Sequence, residues 1–384
     1  MIPYGRQSIG QEDIDAVSSV LQSDFLTQGP VVPAFEEAVA RRVGAAHAVA
    51  VNSATGALHI ACLALGLGPK QSLWTVPNTF VASANCARYC GAQVDFVDID
   101  PLTWNMSVPA LRIKLEQARR DGKLPSIVVP VHFAGQATEQ AEIWALAQEY
   151  GFKVLEDASH AIGASRAGES VGSCRWSHIT VFSFHPVKII TSGEGGMALT
   201  NDAGLADSMR RLRSHGITRD ESAFSLPSPG AWYYEQQGLG FNYRMTDIHA
   251  ALGLSQLSKL DSFVAQRNAL AGRYDALLAD LPLQRPQVLH DNLSAYHLYV
   301  IRLPSGSARG EQRRLFDAMR ERGIGVNVHY SPVHLQPYYR ELGFGVGYCP
   351  EAEWHGSSAM TLPLYPALTH AQQNEVISAL KDAL

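Results

Sequence analysis

The stretch SFHPVK at residues 183–188, followed by TSGEGG at residues 191–196, decides how this chain is interpreted. It comes directly after the apolar run ITVF, so it places Lys188 in a loop at the end of a predicted strand. A second apolar run, at residues 152–155, ends in Glu156 and Asp157. Pyridoxal phosphate chemistry needs a lysine for a Schiff base and a carboxylate for the pyridinium nitrogen. The two strand ends therefore predict a pyridoxal phosphate enzyme.

The bulk composition is that of an ordinary soluble globular protein. With 384 residues, two domains are expected. A net charge of -5 gives no reason to expect nucleic acid or an anionic membrane as a partner. The N-terminus shows no secretory signal, and no apolar run approaches the roughly 20 residues that span a bilayer. The five cysteines form no CxxC pair, so we expect a cytoplasmic protein with reduced thiols.

Short apolar runs alternate with helical patterns from about residue 45 onward. This succession predicts an α/β fold with a mainly parallel central sheet flanked by helices. The large domain is expected to cover residues 1–250, and a smaller α+β domain residues 251–384. In the smaller domain we predict strands at residues 296–303 and 324–330, and helices at 310–322 and 369–384. Ligands of such sheets gather at the carboxyl ends of the strands, where the Asp157 and Lys188 loops would meet.

Taken one at a time, the site signals are modest. The segment NSATGAL at residues 52–58 opens a predicted helix whose N-terminus would suit a phosphate, but taken alone a plain N-cap explains Ser53 and Thr55 better. Asp157 could also be a cap, and most lysines are solvated surface charges. A carboxylate at the end of a buried strand nevertheless needs a cationic partner, which a protonated pyridine nitrogen would supply.

Several segments together resemble the sugar aminotransferases of the DegT/DnrJ/EryC1/StrS type. The resemblance runs in order from about residue 3 to the C-terminus. It implies a pyridoxal phosphate-dependent transferase of fold type I, like aspartate aminotransferase, in which pyridoxamine 5'-phosphate is the intermediate cofactor form. The segments that carry it are NSATGAL at 52–58, LEDASH at 155–160, FSFHPVK at 182–188, TSGEGG at 191–196 and GFNYRM at 240–245.

The resemblance assigns roles to individual residues. Lys188 corresponds to the Schiff-base lysine and Asp157 to the partner of the pyridinium nitrogen. Ala54, Thr55 and Ser183 correspond to ligands of the cofactor phosphate. The family also contains dehydratases in which a histidine replaces the lysine, so Lys188 places this chain with the transaminating class.

Three more residues complete the implied cofactor site. Phe80 resembles the aromatic residue that stacks on the ring, although a core position would explain it. His160 resembles the polar residue beside the ring oxygen, and a structural histidine is the alternative. Asn242 resembles the residue that reaches the cofactor phosphate from the neighbouring subunit. That match implies a homodimer whose active sites are shared across the interface.

Within the family, the segments VHFAGQ at 131–136, VGSC at 171–174 and RSHG at 213–216 look closest to the aminotransferase of pseudaminic acid biosynthesis. That resemblance implies L-glutamate as amino donor and a UDP-linked 2-acetamido-2,6-dideoxy-4-keto-L-hexose as acceptor. The product would be UDP-4-amino-4,6-dideoxy-N-acetyl-beta-L-altrosamine. The alternative is another UDP- or dTDP-linked keto sugar, with a 4-amino or 3-amino product.

Substrate contacts are expected from four further residues. Arg213 and Arg244 are candidate counter-charges for carboxylate or diphosphate, although a surface salt bridge accounts for each about as well. His329 and Tyr330 belong to a polar aromatic loop that borders the sugar cleft in relatives. We expect no metal site, since His329 and His334 have no suitably spaced further ligand. Elimination or decarboxylation on the same cofactor, and a non-catalytic ligand-binding role, are the competing functions.

Overall fold

The computed structural model describes residues 1–304, 306–308 and 310–384. Within them a seven-stranded sheet has the order β1-β9-β8-β5-β4-β2-β3, and β9 is its antiparallel member. The strands of this sheet are β1 His47–Val51, β2 Ser72–Thr75, β3 Gln93–Phe96, β4 Ile127–Val129, β5 Lys153–Asp157, β8 Ile179–Ser183 and β9 Gly196–Thr200. The remaining strands are β6 Ser165–Arg166, β7 Glu169–Ser170, β10 Ile217–Thr218, β11 Glu235–Gln236, β12 Asn292–Leu293, β13 Tyr299–Arg302 and β14 Ala359–Leu362.

Helices cover both faces of the sheet and build much of the C-terminal part. In chain order they are α1 Gln11–Leu21, α2 Val31–Val43, α3 Ala54–Ala64, α4 Ala82–Tyr89, α5 Val108–Asp121, α6 Gln140–Tyr150, α7 Ala203–Leu212, α8 Asp247–Leu257, α9 Leu260–Leu277, α10 Glu311–Glu321, α11 Pro337–Glu341, α12 Pro350–Ser358 and α13 His370–Ala383.

The central strands are buried from both sides, as the predicted sheet requires. Every residue of β4, β8 and β9 is buried, which explains why their sequences are mostly apolar and lack a regular alternation with charged residues. One apolar cluster packs on each face of the sheet. Strands β4, β5 and β8 lie side by side and parallel, so their carboxyl ends form one edge of the sheet. Asp157 ends β5 there, and the Lys188 loop follows β8.

A third apolar cluster forms the core of the C-terminal part, around the antiparallel pair β13–β14 with α9, α10 and α13. The predicted domain boundary after residue 250 lies within α8. The change from one core to the other occurs further along, within α9. Its residues up to Val264 pack into a cluster on the sheet, whereas those from Leu270 onward pack into the C-terminal core. Ile2, at the N-terminus, also packs into the C-terminal core.

The predicted strand at residues 324–330 is wrong. This segment makes only two isolated bridges, from Ile324 to Ile2 and from Asn327 to Thr361. Its alternating sequence is typical of a strand, but the bridges are too far apart to form a continuous ladder. Residues 327–330 instead line a cavity, and Ile324 contacts the N-terminal segment, so the segment has no regular strand partner.

Candidate active site

A cavity of about 890 Å³ opens where the carboxyl ends of the central strands meet the C-terminal part of the chain. Pockets of this size can enclose a cofactor together with part of a substrate. Most of the residues predicted for the cofactor site line it, and so do His329 and Tyr330. The predicted residues that it brings together are Ala54, Thr55, Phe80, Asp157, His160, Ser183, Lys188, His329 and Tyr330.

Lys188 is half-buried in the loop after β8, and its amine reaches the cavity. Burial lowers the pKa of this amine to about 8, and the opposing attraction of Asp157 is the smaller effect. The amine is therefore much closer to neutrality at physiological pH than a surface lysine. A neutral amine is the form that attacks an aldehyde and that can take up a proton.

Asp157 is a buried carboxylate with partners on both oxygens. The hydroxyl of Ser83 donates to Oδ2 over 2.6 Å, and the backbone N–H of Ser159 donates to Oδ1 over 3.0 Å. Thr79, in the turn before α4, lies 2.7 Å from the Ser83 hydroxyl, so two linked hydroxyls orient the carboxylate. Among the described residues no lysine, arginine or histidine forms an ion pair with it. A ligand that carries a protonated ring nitrogen would supply the missing charge.

The N-terminus of α3 forms one wall of the cavity. Ser53 is its N-cap and accepts a hydrogen bond from Gly56 N over 3.1 Å, so the cap interpretation is confirmed. Ala54 and Thr55 are the first two residues of the helix, and their N–H groups have no acceptor within it. Both line the cavity, where unpaired N–H groups and the positive end of the helix dipole suit a phosphate. The cap and the anion site therefore coexist.

Gly196, the last residue of the TSGEGG segment, helps to position the anion site at the N-terminus of α3. A Cβ atom at this position would lie 2.4 Å from Ala54 N and 2.5 Å from the carbonyl carbon of Ser53. The start of β9 therefore presses directly on the N-terminus of α3. A glycine is needed because two backbones approach each other there, and this contact fixes the position of the anion site.

Aromatic and imidazole side chains form the rest of the wall. Phe80 is 59% exposed although it is a large apolar residue, and it faces the cavity instead of a core. His160 is buried, and its Nδ1 accepts from Ala134 N over 3.3 Å. Its Nε2 lies 3.1 Å from the hydroxyl of Tyr330. Burial holds the pKa of His160 well below its usual value, and the nearby Lys188 lowers it further.

Sequence reasoning missed His297. This residue precedes β13 in the C-terminal part, yet it lines the cavity and its Nε2 lies 3.5 Å from Lys188 Nζ. Nothing in the local sequence signals this contact, because the two residues are 109 positions apart. A buried histidine next to the lysine is visible only once the two parts of the fold are assembled.

Three predicted residues do not line this cavity. Asn242 is exposed, and its carbonyl accepts from Asn52 Nδ2 over 3.4 Å. Arg244 pairs through its backbone with Val51, at the end of β1. Arg213 forms an internal ion pair with Glu36 over 2.5 Å and also donates to a backbone carbonyl in β1 over 2.7 Å. Within this chain Arg213 therefore makes a salt bridge, which was the alternative interpretation of this residue.

The described side chains fit pyridoxal phosphate. The carboxylate of Asp157 matches the ring nitrogen, the N-terminus of α3 matches the phosphate, and the amine of Lys188 matches the aldehyde. In the described part of the chain, no three His, Cys, Asp or Glu side chains are grouped so that they could hold a metal ion. No described helix has the length and apolar composition that a membrane span requires.

Comparisons with known proteins agree with this fit. A model of the DegT/DnrJ/EryC1/StrS aminotransferase family matches residues 7–381. The spore coat polysaccharide biosynthesis protein SpsC of Bacillus subtilis is 40% identical over 385 residues, which cover 99% of this chain and 96% of SpsC.

Solved structures show the same architecture over the full length. Helicobacter pylori PseC, an aminotransferase involved in the biosynthesis of pseudoaminic acid, superposes with a TM-score of 0.89 and 29% identity. The match covers 100% of this chain and 98% of PseC. The PMP form of Spr1654, a putative sugar aminotransferase from Streptococcus pneumoniae, gives a TM-score of 0.91 with 27% identity, covering 100% and 99%. The predicted type I fold is confirmed.

Proposed function

The chain belongs to the DegT/DnrJ/EryC1/StrS aminotransferase family, and we propose that it moves the amino group of L-glutamate to C4 of a UDP-linked 2-acetamido-2,6-dideoxy-4-keto-L-hexose. Membership makes it a pyridoxal phosphate-dependent sugar transaminase, so its class as a transferase is established. The proposed product is UDP-4-amino-4,6-dideoxy-N-acetyl-beta-L-altrosamine, on the route to pseudaminic acid.

The observation that carries the assignment of roles is the meeting of Lys188, Asp157 and the α3 N-terminus in one cavity. When bound, pyridoxal phosphate supplies the aldehyde that takes up the amino group and the ring that withdraws electrons from it. Lys188 supplies an amine with a pKa of about 8, which can both bind that aldehyde and carry a proton. Asp157 would hold the positive charge on the ring nitrogen, while Ala54, Thr55 and Ser183 would hold the phosphate. Phe80 would stack on the ring.

The full-length likeness to PseC supports the choice of sugar. His329 and Tyr330 line the C-terminal side of the same cavity, and we assign them to the sugar. The relative SpsC favours the alternative, a different nucleotide-linked keto sugar, because its name places it in spore coat polysaccharide biosynthesis. The choice between the two lies in the acceptor and leaves the cofactor chemistry unchanged.

We also propose a homodimer whose active sites are shared. Among the described residues that line the cavity, Lys188 is the only lysine or arginine. The two carboxylates of glutamate and a nucleotide diphosphate need more counter-charge than one partly neutral amine provides. Asn242 is exposed and does not line the cavity of its own chain, which supports a role at the phosphate of a second copy, and Arg244 lies two residues away. All five cysteines are buried and unbridged, which supports a cytoplasmic location.

The test of the reaction is a panel of UDP- and dTDP-linked 4-keto sugars, each incubated with the purified enzyme and L-glutamate. We expect one equivalent of 2-oxoglutarate for each amino sugar, with the UDP-linked L-sugar as the best acceptor. The Lys188→Ala variant is the control and should form neither product. Conversion of the sugar without 2-oxoglutarate would indicate elimination and contradict the proposal, whereas a better dTDP-linked acceptor would favour the alternative sugar.

Shared sites can be tested by complementation. Lys188→Ala and Asn242→Ala each impair both sites of their own homodimer, through different residues. In a mixed dimer one site regains both residues, so mixing the two variants after reversible dissociation should restore activity, to roughly a quarter of the wild-type value at equal amounts. No gain on mixing, with mixed dimers demonstrated by mass spectrometry, would contradict shared sites.

A further inference from the structure

Among the described residues, His297 is the side chain that contacts the amine of Lys188 at hydrogen-bond distance. Its Nε2 lies 3.5 Å from Nζ, its ring centroid lies 4.5 Å from that of His160, and only 4% of the residue is exposed. Among the described residues its other ring nitrogen, Nδ1, has no hydrogen-bond partner. The imidazole therefore has one polar contact of its own, and that contact is the lysine.

The backbone around His297 is held rigidly, which fixes the point from which the ring extends. The fully buried Arg267 donates through Nη1 to the carbonyl oxygens of Tyr296 and His297, over 3.1 and 3.2 Å. On the other side, Gly135 packs so closely that a Cβ atom there would lie 2.7 Å from Tyr296 N. Ala295 N also donates to the carbonyl of Gly135 over 2.9 Å. These contacts fix the backbone from which the imidazole reaches the lysine.

The charges around this pair decide which partner carries the proton. Asp157 faces Lys188 from the end of β5, and Arg267 faces His297 from α9. Burial and the nearby Lys188 hold the pKa of His297 well below its usual value, and the other titratable groups that face it are His160 and His329. His297 is therefore neutral over the pH range in which Lys188 titrates. An ammonium group has only donors, so the contact must then be a hydrogen bond from Nζ to Nε2.

We propose that His297 is a positioning residue for Lys188, whose neutral imidazole accepts a hydrogen bond from Nζ and so fixes the direction of the amine in the cavity. The inference rests on the proposed role of Lys188 and extends it. An acceptor at Nε2 places the ring proton on Nδ1, which is the nitrogen without a partner. An acceptor also stabilises the charged form of the lysine, so it opposes part of the effect of burial.

The pH dependence of cofactor loading tests this inference without measuring turnover. Apo-enzyme is mixed with pyridoxal 5'-phosphate, and the rise of visible absorbance is followed by stopped flow from pH 6 to 10. Because the neutral amine reacts, the rate should rise through the pKa of Lys188, at about 8 in the wild type. Without the acceptor, in His297→Phe and His297→Asn, the midpoint should fall by about one pH unit.

His297→Gln and His297→Asn form a matched pair. A glutamine oxygen reaches the position of Nε2, whereas an asparagine oxygen reaches only the position of Nδ1, so the glutamine variant should keep the wild-type midpoint. His334→Gln is the control, since His334 is equally buried but bonds to Glu353 outside the cavity lining. Equal midpoints for wild type, His297→Asn and His297→Phe would overturn the inference.

A second measurement does not depend on whether the His297 variants fold. Nitrogen-15 spectra of the histidine rings in the apo-enzyme should show His297 protonated at Nδ1, with an Nε2 resonance that moves in Lys188→Ala. A proton on Nε2, or no change in that variant, would also overturn the inference. Borohydride reduction and peptide mapping separate the two levels of failure. Label on another lysine would refute the proposed function itself, whereas label on Lys188 with unchanged midpoints would refute only the role of His297.

Discussion

Gly196→Ala is the substitution whose effect follows most directly from the structure. The added Cβ atom would lie 2.4 Å from Ala54 N and 2.6 Å from Ala54 Cα, and both are backbone atoms of the α3 N-terminus. Neither can move aside by a rotamer change. Carbon atoms in contact sit at about 3.5 Å, so β9 and the start of α3 must separate by about 1 Å.

The separation should act on the anion site first. Strain of this kind costs about 1–3 kcal/mol of stability. A shift of the α3 N-terminus should also lengthen at least one hydrogen bond from a backbone N–H group to the phosphate. A hydrogen bond to a charged group contributes about 1.5–3 kcal/mol. We therefore expect pyridoxal phosphate to bind about 10- to 100-fold more weakly, because each 1.4 kcal/mol is a factor of ten.

The affinity is measured by titrating apo-enzyme with pyridoxal phosphate, and the stability by thermal unfolding of the same sample. Gly272→Ala in α9 is the matched control, because a Cβ atom there meets nothing within 4 Å. It should leave the affinity unchanged and raise the stability slightly, by about 0.4–1 kcal/mol. If Gly196→Ala bound the cofactor as tightly as the wild type, the contact between β9 and α3 would not hold the anion site.

Three further outcomes follow from the same contacts. Lys188→Met should stabilise the apo-enzyme at pH 7, where the wild type buries a charge. Because the pKa of Lys188 is lowered to about 8, the folded wild type becomes increasingly stable between that pH and pH 10.5. Thermal unfolding measured across this range should therefore show the gain disappear. Arg213→Met leaves the half-buried carboxylate of Glu36 without its ion pair, so it should lower the free energy of unfolding by about 2 kcal/mol. The KM for the nucleotide sugar should stay unchanged. A raised KM at wild-type stability would show that Arg213 binds the substrate. Asp157→Asn should lower kcat at least 100-fold with little loss of stability in chemical denaturation, since Ser83 and Ser159 still have a polar partner.

Local sequence patterns predicted the parts of the fold that depend on local physics. The buried strands of the sheet were visible because a short continuous apolar run bounded by turn residues is typical of a strand covered on both faces. The carboxyl ends of β5 and β8 then had to lie together, so the sequence alone could place Asp157 and the Lys188 loop at one edge. The resemblance added the roles of Phe80 and Asn242, which no periodicity reveals.

The parts that could not be predicted depend on long-range assembly. Residues 324–330 alternate as a strand does, but a ladder also needs a partner of matching length, and only Ile2 and Thr361 are available. Arg213 lies near a family motif, yet Glu36 is 177 positions away and captures it. His297 enters the site because α9 and the Gly135 turn clamp its backbone, and neither contact is encoded near it.

The charge state of the cavity suggests how this chain divides chemistry from recognition. Burial keeps the pKa values of His160 and His297 well below their usual value and lowers that of His329 to about 3, so these imidazoles are neutral at physiological pH. Lys188 is the only lysine or arginine among the described lining residues, and its lowered pKa of about 8 leaves only part of the amine neutral at physiological pH. Such a cavity suits proton transfer, because a neutral lysine is the working form, but it offers little fixed positive charge to dianionic substrates. A second copy of the chain that brings its own cationic groups to the rim would supply that charge without raising the potential at Lys188 itself.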